Sequence, residues 1–272
     1  MRIINKIPGR GLTAFLAALP FVVMMVAYAI GSHARLSVNP ADKVLPSLVQ
    51  MATTMKEYAF VQDKRTGDYL LWSDTAISLW RLGSGLSISV MISLVVGVLM
   101  GFIPWIRALL SSFVAAFSLI PPITVLPILF ILVGLEELSK IALIVIGTAP
   151  VMLRAVALGV KEIPHEMIIK AQTLGASTWQ MLLRIVLPQI LPKLIIATRF
   201  ALIPAWIFLI SAEAIAATSG LGYRIFLVRR FLAMDVILPY VAWITLIAWL
   251  MDMALVALQK RAFPWFQPDR PA

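Results

Sequence analysis

Six apolar runs alternate with polar stretches along the chain, at residues 12–30, 75–103, 108–133, 141–159, 194–217 and 236–258. A helix rises 1.5 Å per residue, so about 20 apolar residues cross a hydrocarbon core of roughly 30 Å. The runs therefore predict six membrane-spanning helices. Pro121, Pro122 and Pro127 interrupt the third, and backbone groups freed there need protein or a water-lined path, since lipid offers them no partner. In the second, Gly97 and Gly101 stand four apart, a spacing that lets helices approach closely. Arg81, near one end of that run, reads as a snorkelling side chain. Between the runs, 32–74 is a polar interval of nearly balanced charge, with an amphipathic helix at 44–60 and a turn at 63–68. Residues 104–107 read as a tight turn, 134–140 as a short loop, 218–222 as a flexible glycine turn and 223–235 as a short basic segment.

The stretch 161–192 is the one long polar interruption in the second half. Ile163-Pro164 marks a helix start, because proline costs little at the first helical position, where its missing N–H would have had no partner. The helix continues to Leu174, and Gly175 stands where it should stop, in a conformation that needs positive φ. Ser177 and Gln180 have the spacing of a capping box, so a second helix follows at once. Pro188 and Pro192 then break or kink the chain before the fifth run. The product is a helix, a sharp turn and a helix, held between two spans.

Composition confirms the environment: 61% of the 272 residues are hydrophobic and 13% charged, so this is a membrane protein. The formal charge of +10 implies no nucleic acid, because lysine and arginine gather on cytoplasmic loops under the positive-inside rule. Arg2, Lys6 and Arg10 precede the first run, which therefore starts inside. That run is long for a signal peptide and His33-Ala34-Arg35 makes a poor cleavage site, so it is read as a retained span. Alternation places 32–74, 134–140 and 218–222 outside, and 161–192 in the cytoplasm, where Lys161, Lys170, Arg184 and Lys193 outnumber Glu162 and Glu166. Arg154 falls near the cytoplasmic end of the fourth span, both termini lie inside, and 260–265 forms a basic, aromatic inner anchor.

Chemistry is sparse. No GxxxxGK[ST] phosphate loop occurs, so the chain is not expected to hydrolyse ATP or to act as an enzyme. No cysteine is present, and His33 and His165 fall on opposite sides, so neither a metal nor another cofactor is expected. Arg199, Glu213 and Asp252 lie within spans and are functional candidates, since a charge taken from water is costly unless paired or solvated. Arg199 and Glu213 are ~21 Å apart along one helix and cannot pair within it. Glu213 is read as lining a path or supporting an outer gate with Gly220 and Gly222, and Asp252 as meeting a basic group near the inner surface. Pro121, Pro122 and Arg199 complete the candidate pathway set.

Ala171, three residues, Gly175, nine residues, then Ile185-Val186-Leu187-Pro188 resembles the EAA loop of binding-protein-dependent ABC transporter permeases. Leu174-Gly175-Ala176-Ser177, Leu191-Pro192, Ala197 with Arg199, Ala205-Trp206, Ala212-Glu213, Gly220-Leu221-Gly222 and the closing Pro264-Trp265 resemble the nitrate, sulfonate and taurine branch. Ile169 and Lys170 depart from the family's Glu and Ala, Thr198 stands where a glycine is common, and Glu136 where a second one is frequent. The resemblance implies an all-α polytopic protein of the type I ABC importer kind, with six transmembrane helices and a cytoplasmic coupling helix between spans four and five. It implies that Pro164, Ile169, Lys170, Ala171, Leu174, Gly175, Ala176, Ile185, Leu187 and Pro188 form the unit seated in an ATPase groove. It further implies a homodimer in the bacterial inner membrane, with two copies of a separate ATPase and an extracytoplasmic solute-binding protein. The transport domain is expected over 75–266, preceded by a first helix and outer segment at 1–74 and followed by a cytoplasmic tail at 267–272. The expected cargo is a small polar or anionic organic solute or a nitrate-like ion. The alternatives are a secondary transporter, which needs coupling-ion sites near mid-membrane, and a membrane scaffold, which needs no such sharply punctuated loop.

Overall fold

The structure, a computed structural model, describes residues 9–39, 42–64 and 67–266, without the side chain of Arg10. The basic residues Arg2 and Lys6, Arg65-Thr66 of the expected turn and the tail 267–272 lie outside the described residues. The elements among these are all helical: α1 (Arg10–Val38), α2 (Leu48–Phe60), α3 (Leu70–Phe102), α4 (Pro104–Phe117), α5 (Pro122–Val133), α6 (Glu137–Lys161), α7 (His165–Thr173), α8 (Thr178–Met181), α9 (Leu187–Ala216), α10 (Leu221–Arg229) and α11 (Met234–Ala262). They form two compact units, Met1–Tyr69 with Val228–Val241, and Leu70–Leu227 with Ala242–Ala272.

In the first unit α1 outruns the apolar run that predicts it, extending through 29 residues. Its polar end is held by the chain that follows, where the Tyr28 hydroxyl donates to the Pro46 carbonyl at 2.7 Å and Ser32 Oγ to the same oxygen at 3.1 Å. Helix α2 begins where Ser47 and Gln50 form a complete capping box, later than the hydrophobic pattern alone indicates. Thr54 donates to Asp235 at 3.0 Å, and Tyr58 meets Tyr240 edge-on at 5.9 Å, so α2 packs on the start of α11.

The second unit is built on α3 and α6. Gly85, Ser89, Ser93, Gly97 and Gly101 recur every four residues on one face of α3 and are buried on α6. The Gly97–Gly101 pair is therefore one end of a longer small-residue stripe. A Cβ at Gly85 would lie 2.7 Å from Ile144, at Gly97 2.9 Å from Val156, and at Gly101 2.6 Å from Val160. Ser89 and Thr148 share a hydrogen bond at 2.7 Å, and Ser93 donates to the Ala149 carbonyl at 3.2 Å, so the small polar side chains join the helices without exposing a donor to lipid. Contact positions rise together on both helices, so α3 and α6 run parallel. The chain must then return across the unit's full thickness through α4 and α5.

That return is not one span. The third apolar run is two helices bent by 96° at the break. Pro121 is extended (φ −65°, ψ 116°), as expected of a residue whose successor, Pro122, clashes with a helical conformation, and Pro122 opens α5. Pro127 stays inside α5. Among the described residues five helices are long and apolar enough to cross alone, or six where the bent pair is counted as one broken span. The expected turn at 104–107 is replaced by the single residue Ile103, since Pro104 already starts α4. Arg107 instead donates to the Met100 carbonyl at 3.2 Å and to that of Gly101, satisfying oxygens left open at the end of α3. The 134–140 loop is likewise shorter, because Glu137 begins α6.

Helix α9 runs antiparallel to α6, with Gly147 against the Phe208 ring and Gly159 against Lys193 and Ile190. Pro188 and Pro192 do not break the chain, which is helical from Thr178 to Ala216. The turn from Leu182 to Val186 widens to a π-helix, and the Leu187 N–H reaches back five residues to the Leu182 carbonyl. Pro188 would otherwise press its ring on the carbonyl four residues earlier, and the wider turn relieves that clash.

Candidate functional site

Helices α7 and α8 form a unit at the end of α6. Pro164 is the N-cap of α7 rather than its first helical residue, so the helix starts one position later than the sequence suggests, and it stops at Thr173 with Leu174 as its C-cap. Gly175 has φ +77°, the left-handed conformation expected of it, and its successor Ala176 donates its N–H to the Ala171 carbonyl at 3.0 Å. Ser177 and Gln180 complete their capping box at the start of α8. The base of the unit is tied: Lys193 Nζ reaches Glu162 at 2.6 Å and the Gly159 carbonyl at 3.2 Å, holding the end of α6 to the start of α9.

The side chains of this unit divide into two sets. Ala171 is buried in its own chain, so it positions α7 rather than offering a surface. Ile185, Leu187 and Pro188 are half-buried in and just beyond the π turn, and Ala176 is half-buried. Ile169, Lys170 and the C-cap Leu174 face outward, with Leu174 at 87% exposure, as do Met167, Trp179 and Leu183. Exposed apolar side chains on an otherwise polar helix pair are costly unless another protein covers them.

At the opposite end of the unit lies a buried ionic cluster that the sequence reading assembles only in part. Asp74, Ser78 and Arg81 follow the i, i+4, i+7 spacing of one face of α3, and all are buried. Arg81 does not snorkel. Its guanidinium donates to Glu213 at 2.7 Å, to Glu137 at 2.5 and 2.7 Å, and to the Ser219 carbonyl at 2.8 Å. Glu213 is wholly buried and also accepts from Ser78 Oγ at 2.8 Å and from the Gly222 N–H at 2.8 Å. Asp74 accepts from the Gly220 N–H at 3.0 Å and from Arg224 at 2.7 Å. Lys140 reaches Glu137 at 3.1 Å.

The 218–222 turn is therefore pinned rather than flexible. Gly220 adopts φ +116°, and a Cβ there would lie 2.5 Å from Glu213; one at Gly222 would lie 2.8 Å from the Ile210 carbonyl. Of the candidate pathway residues, Glu213, Gly220 and Gly222 come together in this cluster, while Pro121 and Pro122 stand at the α4–α5 break. Arg199 pairs with Asp252 through two hydrogen bonds, at 2.7 and 3.0 Å, which links α9 to α11. Asp74, Ser78, Glu137 and Arg224 are the members that sequence reading overlooks; the polar stripe on α3 is the signal that marks the first two.

Residues 89–267 match the family of binding-protein-dependent transport system inner membrane components. The taurine transport system permease protein TauC of Escherichia coli K12 is 40% identical over 199 residues, covering 73% of this chain and 72% of TauC. The putative aliphatic sulfonates transport permease protein SsuC of the same organism is 30% identical over 226 residues, 83% of each. The fold is similar to that of the MetNI methionine ABC transporter in an inward-facing form, with a TM-score of 0.59 at 21% identity over 70% of this chain and 96% of that one. An all-helical membrane unit with a punctuated helix pair at one end, matched in sequence over residues 89–267, places the chain in the binding-protein-dependent ABC transporter permease family, as a multi-pass permease component of the bacterial inner membrane.

Proposed function

We propose that this chain is the membrane-spanning half of an ATP-driven importer for a small polar or anionic organic solute of the sulfonate kind. A separate ATPase docks on α7 and α8, a second copy of the chain completes the pathway, and a solute-binding protein delivers cargo at the opposite face. Both termini then lie in the cytoplasm. The chain carries no GxxxxGK[ST] phosphate loop, so on this reading closure of the ATPase reaches the spans through the helix pair. The observation that carries this reading is the rigid α7–Gly175–α8 unit, tied at its base by Lys193 and exposing Ile169, Leu174 and Trp179. Support for the cargo comes from the taurine and sulfonate systems named by the relatives.

The cysteine-free chain makes the test direct. With Leu174→Cys and a cysteine in the groove of the partner ATPase, oxidation of the assembled complex should yield an intermolecular disulfide. Absence of that product in a complex that hydrolyses ATP would remove the docking assignment. Because Ala171 faces its own chain, Ala171→Glu should disturb α7 itself and lower both ATPase binding and the stability of the free permease.

A further inference from the structure

We propose that Arg154 and Ser118 form an anion-binding station inside the membrane unit, which takes the oxyanion end of a solute such as a sulfonate or carboxylate. The inference rests on the permease reading for the identity of its cargo, but its geometry stands on its own. Arg154 lies in α6 seven residues before Lys161, ~10 Å along the helix axis from its end. Its side chain is exposed, and among the described residues it makes no ion pair with a carboxylate. Arg81 and Arg199, the other arginines deep in long apolar helices, each pair with carboxylates, and Arg107 satisfies the carbonyls closing α3. Arg154 meets only a hydroxyl, donating from Nη1 to Ser118 Oγ at 3.2 Å.

Ser118 is the C-cap of α4, at the start of the 96° break. Its hydroxyl donates to the carbonyls of its own last turn, Val114 at 2.7 Å or Ala115 at 3.0 Å, which leaves the oxygen to accept from the guanidinium. A guanidinium has five N–H donors in a planar fork, so most of those on Arg154 remain for a ligand, and that fork matches an oxyanion in two places at once. The place for the rest of the ligand adjoins it. Ser118 and Ala155, the residue after Arg154, line a cavity of about 460 Å³ between the break, α6 and α9, walled by Pro122, Gly147, Phe200 and Phe208. An apolar cavity of this size with a few polar groups at one edge is the usual form of a small-ligand site. A cation bonded to one of its lining residues favours anions and repels cationic solutes.

The test uses Ala155→Cys in the complete complex with its ATPase, reconstituted in nanodiscs. Two methanethiosulfonate reagents of similar size serve as probes, one bearing an ethylsulfonate and one an ethyltrimethylammonium group, each rate being scaled to a free thiol. The sulfonate reagent should react faster by a factor of about five or more, the effect of one nearby cation in a partly wetted site. Adding Arg154→Gln should erase that preference, and Arg154→Lys should keep part of it. A thiol inert to both reagents, as a lipid-facing snorkelling arginine would give, overturns the proposal, and so does a preference unchanged by Arg154→Gln. ATP-driven uptake of taurine, measured separately, tests the cargo: its failure with the thiol preference intact would remove the sulfonate reading and leave the anion station standing.

Discussion

Arg81 and Glu213 show how a charge is kept inside a membrane helix bundle. Both are buried, and each donor or acceptor is met by Ser78, Glu137, Ser219 or Gly222. A buried pair of this kind contributes little over a well-packed apolar one, but removing one member leaves the other charge stranded at a cost of about 3–5 kcal/mol. Arg81→Met should therefore lower the thermal stability of the detergent-solubilised protein sharply, and Arg81→Met with Glu213→Gln should recover part of the loss. A double variant no more stable than the single one would sink this account. Gly222→Ala belongs to the same scale: its Cβ meets a backbone carbonyl that cannot turn aside, so the variant should lose stability before any transport step is reached. The sequence marks Glu213 and both glycines as important, yet the partner that explains them is the arginine read there as snorkelling. Helical spacing alone does not reveal which face of α3 is wet, since that depends on what packs there.

At the scale of elements, the small-residue stripe on α3 and the break between α4 and α5 govern the arrangement of the second unit. Gly101→Val should separate α3 from α6, because its Cβ would sit 2.6 Å from Val160 and 3.0 Å from the Ala157 carbonyl, and overpacking of this kind costs about 1–3 kcal/mol. The measurement is thermal stability again, with Gly83→Val as control, since no atom lies within 4 Å of a Cβ there. Equal losses at the two positions would mean that helix propensity rather than packing decides. Part of this architecture is legible beforehand: the capping box at Ser177, the left-handed Gly175 and the positions of the long apolar helices follow from local chemistry, whereas α2 starts at the Ser47 capping box rather than at Val44. The π turn before Pro188 is not, because the same proline pattern permits a kink, a break or a widened turn, and neighbouring helices select among them.

Across the whole molecule, the proposed assembly makes two measurable claims. Native mass spectrometry of the purified transporter should find two copies of this chain with two of the ATPase, because each chain offers one α7–α8 unit and a two-site motor presents two grooves. A complex of one copy with a different permease would contradict it. In intact cells, Glu57→Cys on the exposed side of α2 should react with a membrane-impermeant thiol reagent, and Leu174→Cys should not. The reverse pattern would invert the topology and remove the coupling role of α7. By itself the sequence determined the membrane environment, the helical class, the place of the α7–Gly175–α8 helix pair, and the family. These rest on apolar length, capping residues and glycine φ, which are properties of short stretches of chain. Only the tertiary structure decided that α3 and α6 run parallel, that the third apolar run is two helices, that Arg81 is locked to Glu213, and that Ala171 faces inward. It alone brought Arg154 to Ser118 at the edge of a cavity. Each of these depends on residues tens of positions apart, and in lipid, where apolar surface gains little from being hidden, close packing and the pairing of buried charges make that choice.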